Sequence, residues 1–294
     1  MIRLCALSLL TACVLAAALP VGSARAETAL ERIARTGVLS AGTREDAAPF
    51  AFLDPQGQRV GLSVDLIEEV RKALSVKLGR EVRTEFTTVT PSTRLQVVEE
   101  GRVDLVCEIA TATWAREQRI DFTLPIFRDG TRILAYRDTV ARAGTLADLR
   151  IGMVTGSTTE GILRRKLAGA ELTPYPNMLD ALRALEKGEV DGIANVGIVL
   201  RGLLPKAEKP NGLVIVPRGE ALGYEAMACI VPSNESAWRD FVNGVLRDLF
   251  KGIEVYHGGY ADIYQRWFGR DAEIAYPLDQ RSAQFFADML IWLD

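Results

Sequence analysis

Apolar and polar positions follow two alternating periods along the chain, one typical of buried strands and the other of amphipathic helices. Short, mainly apolar runs in the first half predict strands at residues 38–42 and 103–107, and a further strand is predicted at residues 82–87. Apolar residues three and four positions apart predict a helix that begins at Ser63 and ends before Gly79. A second helix is predicted from Thr90 to Gly101, because Pro91 suits a first helical position. Three strands separated by two helices predict parallel pairing and an α/β fold.

The same alternation begins again beyond Phe127 and predicts a second α/β unit. Its strands are predicted at residues 132–136, 151–155, 190–195 and 213–216, and a strand at residues 227–231 is predicted to lead back to the first unit. Ser157 and Glu160 have the spacing of a capping box at the start of a helix that reaches Leu167. Further helices are predicted at residues 179–185, 237–250 and 255–267, with a last short one from Ser282.

Basic and hydroxyl side chains follow the predicted strands of the first half. Arg44 follows the first strand, Arg94 lies in the first turn of a helix, and Thr111 and Arg116 follow the third strand. Loops at the carboxyl ends of parallel strands are where such sheets bind ligands. If Thr113 caps a short turn, Arg116 lies where the helix dipole disfavours a cation, and an anionic ligand would compensate it. The alternative is an exposed surface arginine without this role.

The first 26 residues have the pattern of an export signal. Arg3 precedes an apolar run at residues 4–19, and the Ala-Arg-Ala sequence at residues 24–26 matches a cleavage site. The mature chain is therefore expected to begin at Glu27 and to be periplasmic. Residues 10–13 resemble a lipoprotein box but lie inside the apolar run, so lipidation is not expected.

Charge and length narrow the possible partners. The chain of 294 residues has a formal net charge of −3, and losing the two arginines of the signal makes the mature chain more acidic. Nucleic acid is therefore not an expected partner. A mature length of about 268 residues predicts two domains.

Few residues are available for metal or nucleophilic chemistry. The chain has a single histidine, His257, so neither a histidine-based triad nor a site with several histidines can form, and no metal or cofactor is expected. Cys107 and Cys229 remain after removal of the signal. In an oxidising compartment they are expected to form a disulfide if they meet in space.

Seven ordered motifs carry a family resemblance that covers essentially all of residues 27–269. In chain order they are GTREDAAPFAF, GLSVDLIEEV, STRLQVVEEGRVDL, ATATWAREQRIDFTLPIF, DLRIGMVTGSTTE, ALEKGEVDGI and YQRWFG. Together they resemble the periplasmic polar amino-acid-binding proteins of ABC transporters, solute-binding protein family 3. Within it, the chain is most similar to glutamate/aspartate-binding proteins, through Arg44, Arg94, the two cysteines and the tail after Trp267.

The resemblance implies a two-lobed, type II periplasmic-binding-protein fold, in which two α/β sheets are joined by a two-strand hinge. Lobe 1 is expected to comprise residues 27–128 and 228–294, and lobe 2 residues 129–227. Hinge strands are expected near residues 127–132 and 223–227. Cys107 ends a lobe 1 strand and Cys229 lies in the strand that returns beside it, so the resemblance supports their disulfide.

Site residues follow from the same resemblance. Arg116 matches the arginine that binds the ligand α-carboxylate, and Thr111 the threonine beside it. Thr158 and Thr159 match hydrogen-bond donors of the second lobe.

Arg44 and Arg94 match the arginines that face an acidic ligand side chain. Three positions depart from the family pattern. Ile109 replaces a small residue near the ligand amino group, and Met178 replaces a histidine of the glutamate/aspartate-binding proteins. Asn195 or Val196 lies where an aspartate pairs with the ammonium. The ligand is therefore either an anion without an amino group, or an amino acid whose ammonium finds another acid, such as Glu160 or Asp191.

The expected function is that of an extracytoplasmic solute-binding receptor of an amino-acid ABC importer. It is expected to bind glutamate or aspartate by hinge closure, without chemistry, and to act as a monomer with a membrane permease. One alternative is a periplasmic cyclohexadienyl-type dehydratase with Glu160 as general acid. Others are a receptor for dicarboxylates without an amino group and a sensor-type module.

Overall fold

The computed structural model describes residues 27–292, and the expected signal peptide lies outside them. Its α-helices are α1 (Ala29–Thr36), α2 (Leu62–Leu78), α3 (Arg94–Glu99), α4 (Trp114–Glu117), α5 (Arg137–Arg142), α6 (Thr158–Lys166), α7 (Met178–Glu186), α8 (Gly197–Leu203), α9 (Ser236–Phe250), α10 (Gly259–Phe268) and α11 (Gln280–Asp288). None of the helices in this part of the chain combines the length and hydrophobicity of a membrane span.

The strands are β1 (Val38–Thr43), β2 (Asp46–Ala47), β3 (Ala51–Leu53), β4 (Arg59–Val60), β5 (Arg83–Thr88), β6 (Leu105–Val106), β7 (Asp121–Tyr136), β8 (Ile151–Val154), β9 (Leu172–Tyr175), β10 (Gly192–Val196), β11 (Leu213–Val216) and β12 (Tyr224–Val231). Strands β2, β3 and β4 form a small antiparallel sheet that the sequence did not predict.

Two α/β sheets meet at the long strand β7. In the first, β1 lies between its parallel neighbours β5 and β6, and β12 runs antiparallel to β6. In the second, β8 lies between its parallel neighbours β9 and β10. The amino-terminal part of β7 pairs with β12, and its carboxyl-terminal part pairs with β10 and β11. The two-sheet α/β arrangement is therefore confirmed, whereas the residue boundaries of the lobes stay a prediction.

Each sheet has its own apolar core. Helix α2 buries Leu66, Ile67 and Val70, the face that its spacing predicted. The ring centroids of Phe50 and Phe268 lie 4.8 and 5.2 Å from the ring centroid of Phe127. The second sheet packs α7 and α8 against it through buried residues that include Leu134, Leu182, Ile193 and Leu200.

One predicted helix start and one predicted capping box are wrong, although Ser157 does precede the first residue of α6 as predicted. Residues 91–93 form a turn in which the Thr90 and Thr93 side chains bond each other and the backbone, so α3 begins only at Arg94. The Ser157 to Glu160 capping box does not form, because the Ser157 side chain makes no capping bond and Glu160 pairs with Arg164.

The disulfide between Cys107 and Cys229 is confirmed. Its sulfur atoms are 2.02 Å apart and its Cα atoms 4.2 Å apart. It joins the residue that follows β6 to the middle of β12, and both residues are almost fully buried. The bond therefore lies beside the loop that carries Thr111 and Arg116.

Candidate functional site

Arg116 lies in a short helix whose cap forms as predicted. The Thr113 hydroxyl accepts a hydrogen bond from the Arg116 amide at 3.3 Å. The guanidinium Nη1 donates to the Thr111 carbonyl at 2.7 Å. Within residues 27–292, no carboxylate forms an ion pair with Arg116. Burial lowers the pKa of Arg116 and the charge of Arg94 lowers it further, against the charges of Glu225 and Glu108.

Glu225, on β12, is a buried carboxylate that the sequence analysis missed. Its Oε2 accepts the hydroxyl protons of Thr111 and Thr158, each at 2.6 Å. Its Oε1 accepts a third hydroxyl, from Thr131 on β7, at 3.2 Å. Only 6% of the residue surface is exposed. Thr111 and Thr158, both predicted site residues, therefore meet at a carboxylate of the protein itself.

Arg94 already has an acidic partner within the protein. Its Nη1 lies 2.6 Å from Glu108 Oε1 and also donates to the Ile109 carbonyl at 3.0 Å. The side chains of Arg94 and Glu108 are only 9% and 1% exposed. Arg94 Nε and Glu108 Oε2 are buried, and neither has a hydrogen-bond partner within the described chain. The sequence analysis did not identify Glu108 as a partner of Arg94.

Arg44 has a partner that is easier to displace. Its Nε donates to Asp46 Oδ1 at 2.8 Å, with side-chain exposures of 24% for Arg44 and 76% for Asp46. Burial acts to lower the pKa of Arg44, but the hydrogen bond and charge of Asp46 outweigh it and raise the pKa. The neighbouring Arg59 binds Glu45 at 2.6 Å and the carbonyl of Arg44 at 3.0 Å, which fixes the loop.

The start of α6 places its two threonines differently. Thr158 is half-buried and bonds Glu225, whereas Thr159 is buried at 2% exposure. The Ser157 hydroxyl is buried and has no hydrogen-bond partner among the described residues. Because no side chain caps α6, the N–H groups of its first turn remain available to an acceptor.

A cavity of 460 Å³ lies between the two sheets. Residues 111–113, one face of α6 from its cap Ser157 to Lys166, and residues 222–226 form its wall, so Glu225 and both of its close threonine partners line it. Arg44, Arg94 and Arg116 are not part of this wall. Thr111 and Thr158 therefore meet at this wall, and Arg116 is joined to it by its hydrogen bond to the Thr111 carbonyl. Arg44 and Arg94 form separate ion pairs.

The other acids considered for a ligand ammonium are already paired. Glu160 lies 2.9 Å from Arg164 on the same helix. Asp191 lies 2.9 Å from Arg150, whose hydrogen bond lowers the pKa of the Asp191 carboxyl. Nowhere in residues 27–292 do three or more His, Cys, Asp or Glu residues group in a way that could hold a metal ion.

Comparison with known proteins agrees with this architecture. The family model of the bacterial extracellular solute-binding proteins, family 3, matches residues 39–270. The L-glutamate/L-aspartate-binding protein of Pseudomonas aeruginosa is 28% identical over 275 residues, which cover 89% of this chain and 87% of that protein. The glutamate/aspartate import solute-binding protein of Escherichia coli is 26% identical over 269 residues, with 87% and 86% covered.

Solved structures share the fold. A mutant of the T. maritima protein ArgBP is 25% identical with a TM-score of 0.67, and the match covers 83% of this chain and 100% of that one. This similarity confirms the two-lobed, type II periplasmic-binding-protein fold. The family match extends over most of the chain and includes both sheets and the strands that join them. The chain therefore belongs to the bacterial extracellular solute-binding proteins, family 3.

Proposed function

We propose that this protein is the extracytoplasmic receptor of an amino-acid ABC importer and binds glutamate or aspartate between its lobes. The observation that carries the proposal is the half-buried Arg116 guanidinium, which has no acidic partner within residues 27–292. A cation removed from water without a counter-charge is costly. A ligand carboxylate that binds Arg116 in two-pronged fashion would supply that charge.

Arg44 supports an acidic ligand side chain. Its partner Asp46 is largely exposed, and exposed ion pairs contribute only about 0–1 kcal/mol. A ligand carboxylate can therefore replace Asp46 at little cost. The names of the similar proteins from Pseudomonas aeruginosa and Escherichia coli support the same ligand class.

Titration calorimetry of the mature protein tests the proposal. L-glutamate and L-aspartate are expected to bind more tightly than L-glutamine and L-arginine. Arg116→Ala is expected to lose most binding of every ligand, since leaving one charge of a buried pair without its partner costs about 3–5 kcal/mol. Arg119→Ala is the matched control, because Arg119 lies three residues further on, is exposed, and pairs with Glu99.

Arg44→Ala is expected to act differently and to reduce discrimination between glutamate and glutamine, because Arg116 would still bind the α-carboxylate. The wild type could bind glutamine and glutamate with equal affinity, and Arg44→Ala could leave the ratio of the two affinities unchanged. That result would show that the protein does not distinguish ligand side chains by their charge.

A further inference from the structure

We propose that Glu225 binds the ammonium group of the ligand, so that Arg116 and Glu225 together select a zwitterion. The inference rests on the proposed function, in which the ligand is an amino acid. It assigns the ammonium to a carboxylate on β12, rather than to any acid within the second sheet or its helices.

The direction of the hydrogen bonds around Glu225 carries the argument. A threonine hydroxyl has one proton to donate and two lone pairs that accept. Thr111, Thr158 and Thr131 all direct that proton to the Glu225 carboxylate. The four side chains therefore present acceptors to a ligand and have no hydroxyl proton left to donate. Such a cluster suits an ammonium, whereas a second carboxylate would meet repulsion.

The charges of the cleft lead to the same assignment. Arg94 is paired with Glu108 and Arg44 with Asp46, whereas Arg116 has no ion-pair partner among the described residues. Arg165 and Lys166 of α6 also line the cavity, but neither bonds Glu225. Glu225 forms no ion pair among the residues described, although it is only 6% exposed. A buried carboxylate is expensive unless a cation accompanies it. Arg116 and Glu225 are therefore complementary to the carboxylate and to the ammonium of an amino acid, respectively.

Position makes Glu225 accessible to a ligand. It lines the 460 Å³ cavity together with Thr111 and Thr158, and this volume lies in the usual range of about 300–1,000 Å³ for ligand pockets. Arg116 donates to the carbonyl of the same Thr111 whose hydroxyl binds Glu225. A single residue therefore connects the two charges, which places them within reach of one small molecule.

The test compares an amino acid with its analogue that lacks the amino group. Calorimetry would measure L-glutamate and glutarate, and L-aspartate and succinate, against the wild type and Glu225→Gln. The wild type is expected to prefer L-glutamate to glutarate by at least about tenfold. Glu225→Gln keeps the shape of the side chain and one acceptor oxygen. It is expected to lower the affinity for L-glutamate by on the order of 10- to 100-fold and to change the affinity for glutarate by less than about threefold.

Glu220→Gln is the matched control, because Glu220 lies five residues away, is 61% exposed and bonds Arg281. It is expected to leave both affinities unchanged. Thermal unfolding without ligand would show that Glu225→Gln is folded, and the wild-type comparison requires no substitution at all.

Equal binding of L-glutamate and glutarate by the wild type, or a Glu225→Gln variant that keeps the wild-type ratio, would overturn the ammonium assignment while leaving the acidic ligand intact. If the wild type instead prefers a neutral amino acid, the proposal of an acidic ligand is wrong. The role of Glu225 is then tested by comparing that amino acid with its analogue that lacks the amino group. Failure to bind any of the twenty amino acids would overturn both.

Discussion

Arg94 and Glu108 form an ion pair that is almost completely removed from water. Their mutual attraction offsets the loss of hydration only while both charges are present. The Ile109 carbonyl accepts a further bond from Arg94, which ties the start of α3 to the loop after β6. The pair therefore stabilises the loop that leads to Thr111, in addition to any effect on the ligand.

Arg94→Ala is accordingly expected to lower the free energy of unfolding by about 3–5 kcal/mol, because Glu108 would be left buried and uncompensated. The double change Arg94→Met and Glu108→Leu should restore much of this loss. Urea unfolding monitored by circular dichroism would measure both. Arg119→Ala, which breaks an exposed pair, should change stability by less than about 1 kcal/mol. A double variant no more stable than Arg94→Ala would contradict the explanation.

Local patterns were sufficient for some site residues and not for others. The cap of Thr113 and the position of Arg116 depend on residues three apart, so the sequence predicts them well. Glu225 meets Thr111 across 114 residues and Thr158 across 67, and no local spacing encodes such a contact. The partner of Arg94 was also missed, because Glu108 lies beyond the next turn and strand rather than beside Arg94 in sequence.

The pairing of β6 with β12 brings the loop that carries Thr111 close to Glu225 on β12. Beyond their paired residues, Ala228 donates to the Ala110 carbonyl and Ala112 to the Ala226 carbonyl. The Cys107–Cys229 bond links the same two segments across 122 residues of sequence. A cross-link over so long a loop restricts the unfolded chain.

Replacing both cysteines by alanine is therefore expected to lower the free energy of unfolding by about 2–5 kcal/mol. The denaturant dependence should become steeper, since an unlinked unfolded chain exposes more surface. Guanidinium unfolding of the mature wild type, with and without reductant, provides the comparison. Two free thiols in the unfolded, unreduced wild type would contradict the bond, and Ellman titration would detect them.

Apolar periodicity predicts the elements of each sheet better than the elements that join them. The runs that became β1 and β11 are short, mainly apolar and preceded by a glycine. By contrast, β7 continues through Pro125 and Gly130, which normally interrupt strands. The structure accommodates Pro125 because β12 shifts its register at Ala228, the residue that faces it.

For the whole molecule, β7 and β12 are the continuous connections between the sheets. Asp129 on β7 accepts hydrogen bonds from the Ile198 amide of α8 and from the hydroxyl of Tyr276, in the segment before α11. Burial raises the pKa of the Asp129 carboxyl. Glu225 on β12 is bonded to Thr111 on one side and Thr158 on the other. Polar groups of the two joining strands therefore contact both sheets.

A ligand that binds Arg116, Glu225 and the start of α6 contacts the parts of the protein built on both sheets at once. Such a ligand binds the closed arrangement better than an open one, and it must shift the population toward closure. The radius of gyration from small-angle X-ray scattering is therefore expected to decrease when L-glutamate saturates the mature protein. Arg116→Ala at the same L-glutamate concentration should keep the ligand-free radius. Thr158→Val, which removes the hydrogen bond from Thr158 to Glu225, should enlarge the radius of gyration of the ligand-free protein. An unchanged wild-type radius at saturation, with binding verified by calorimetry, would contradict hinge closure.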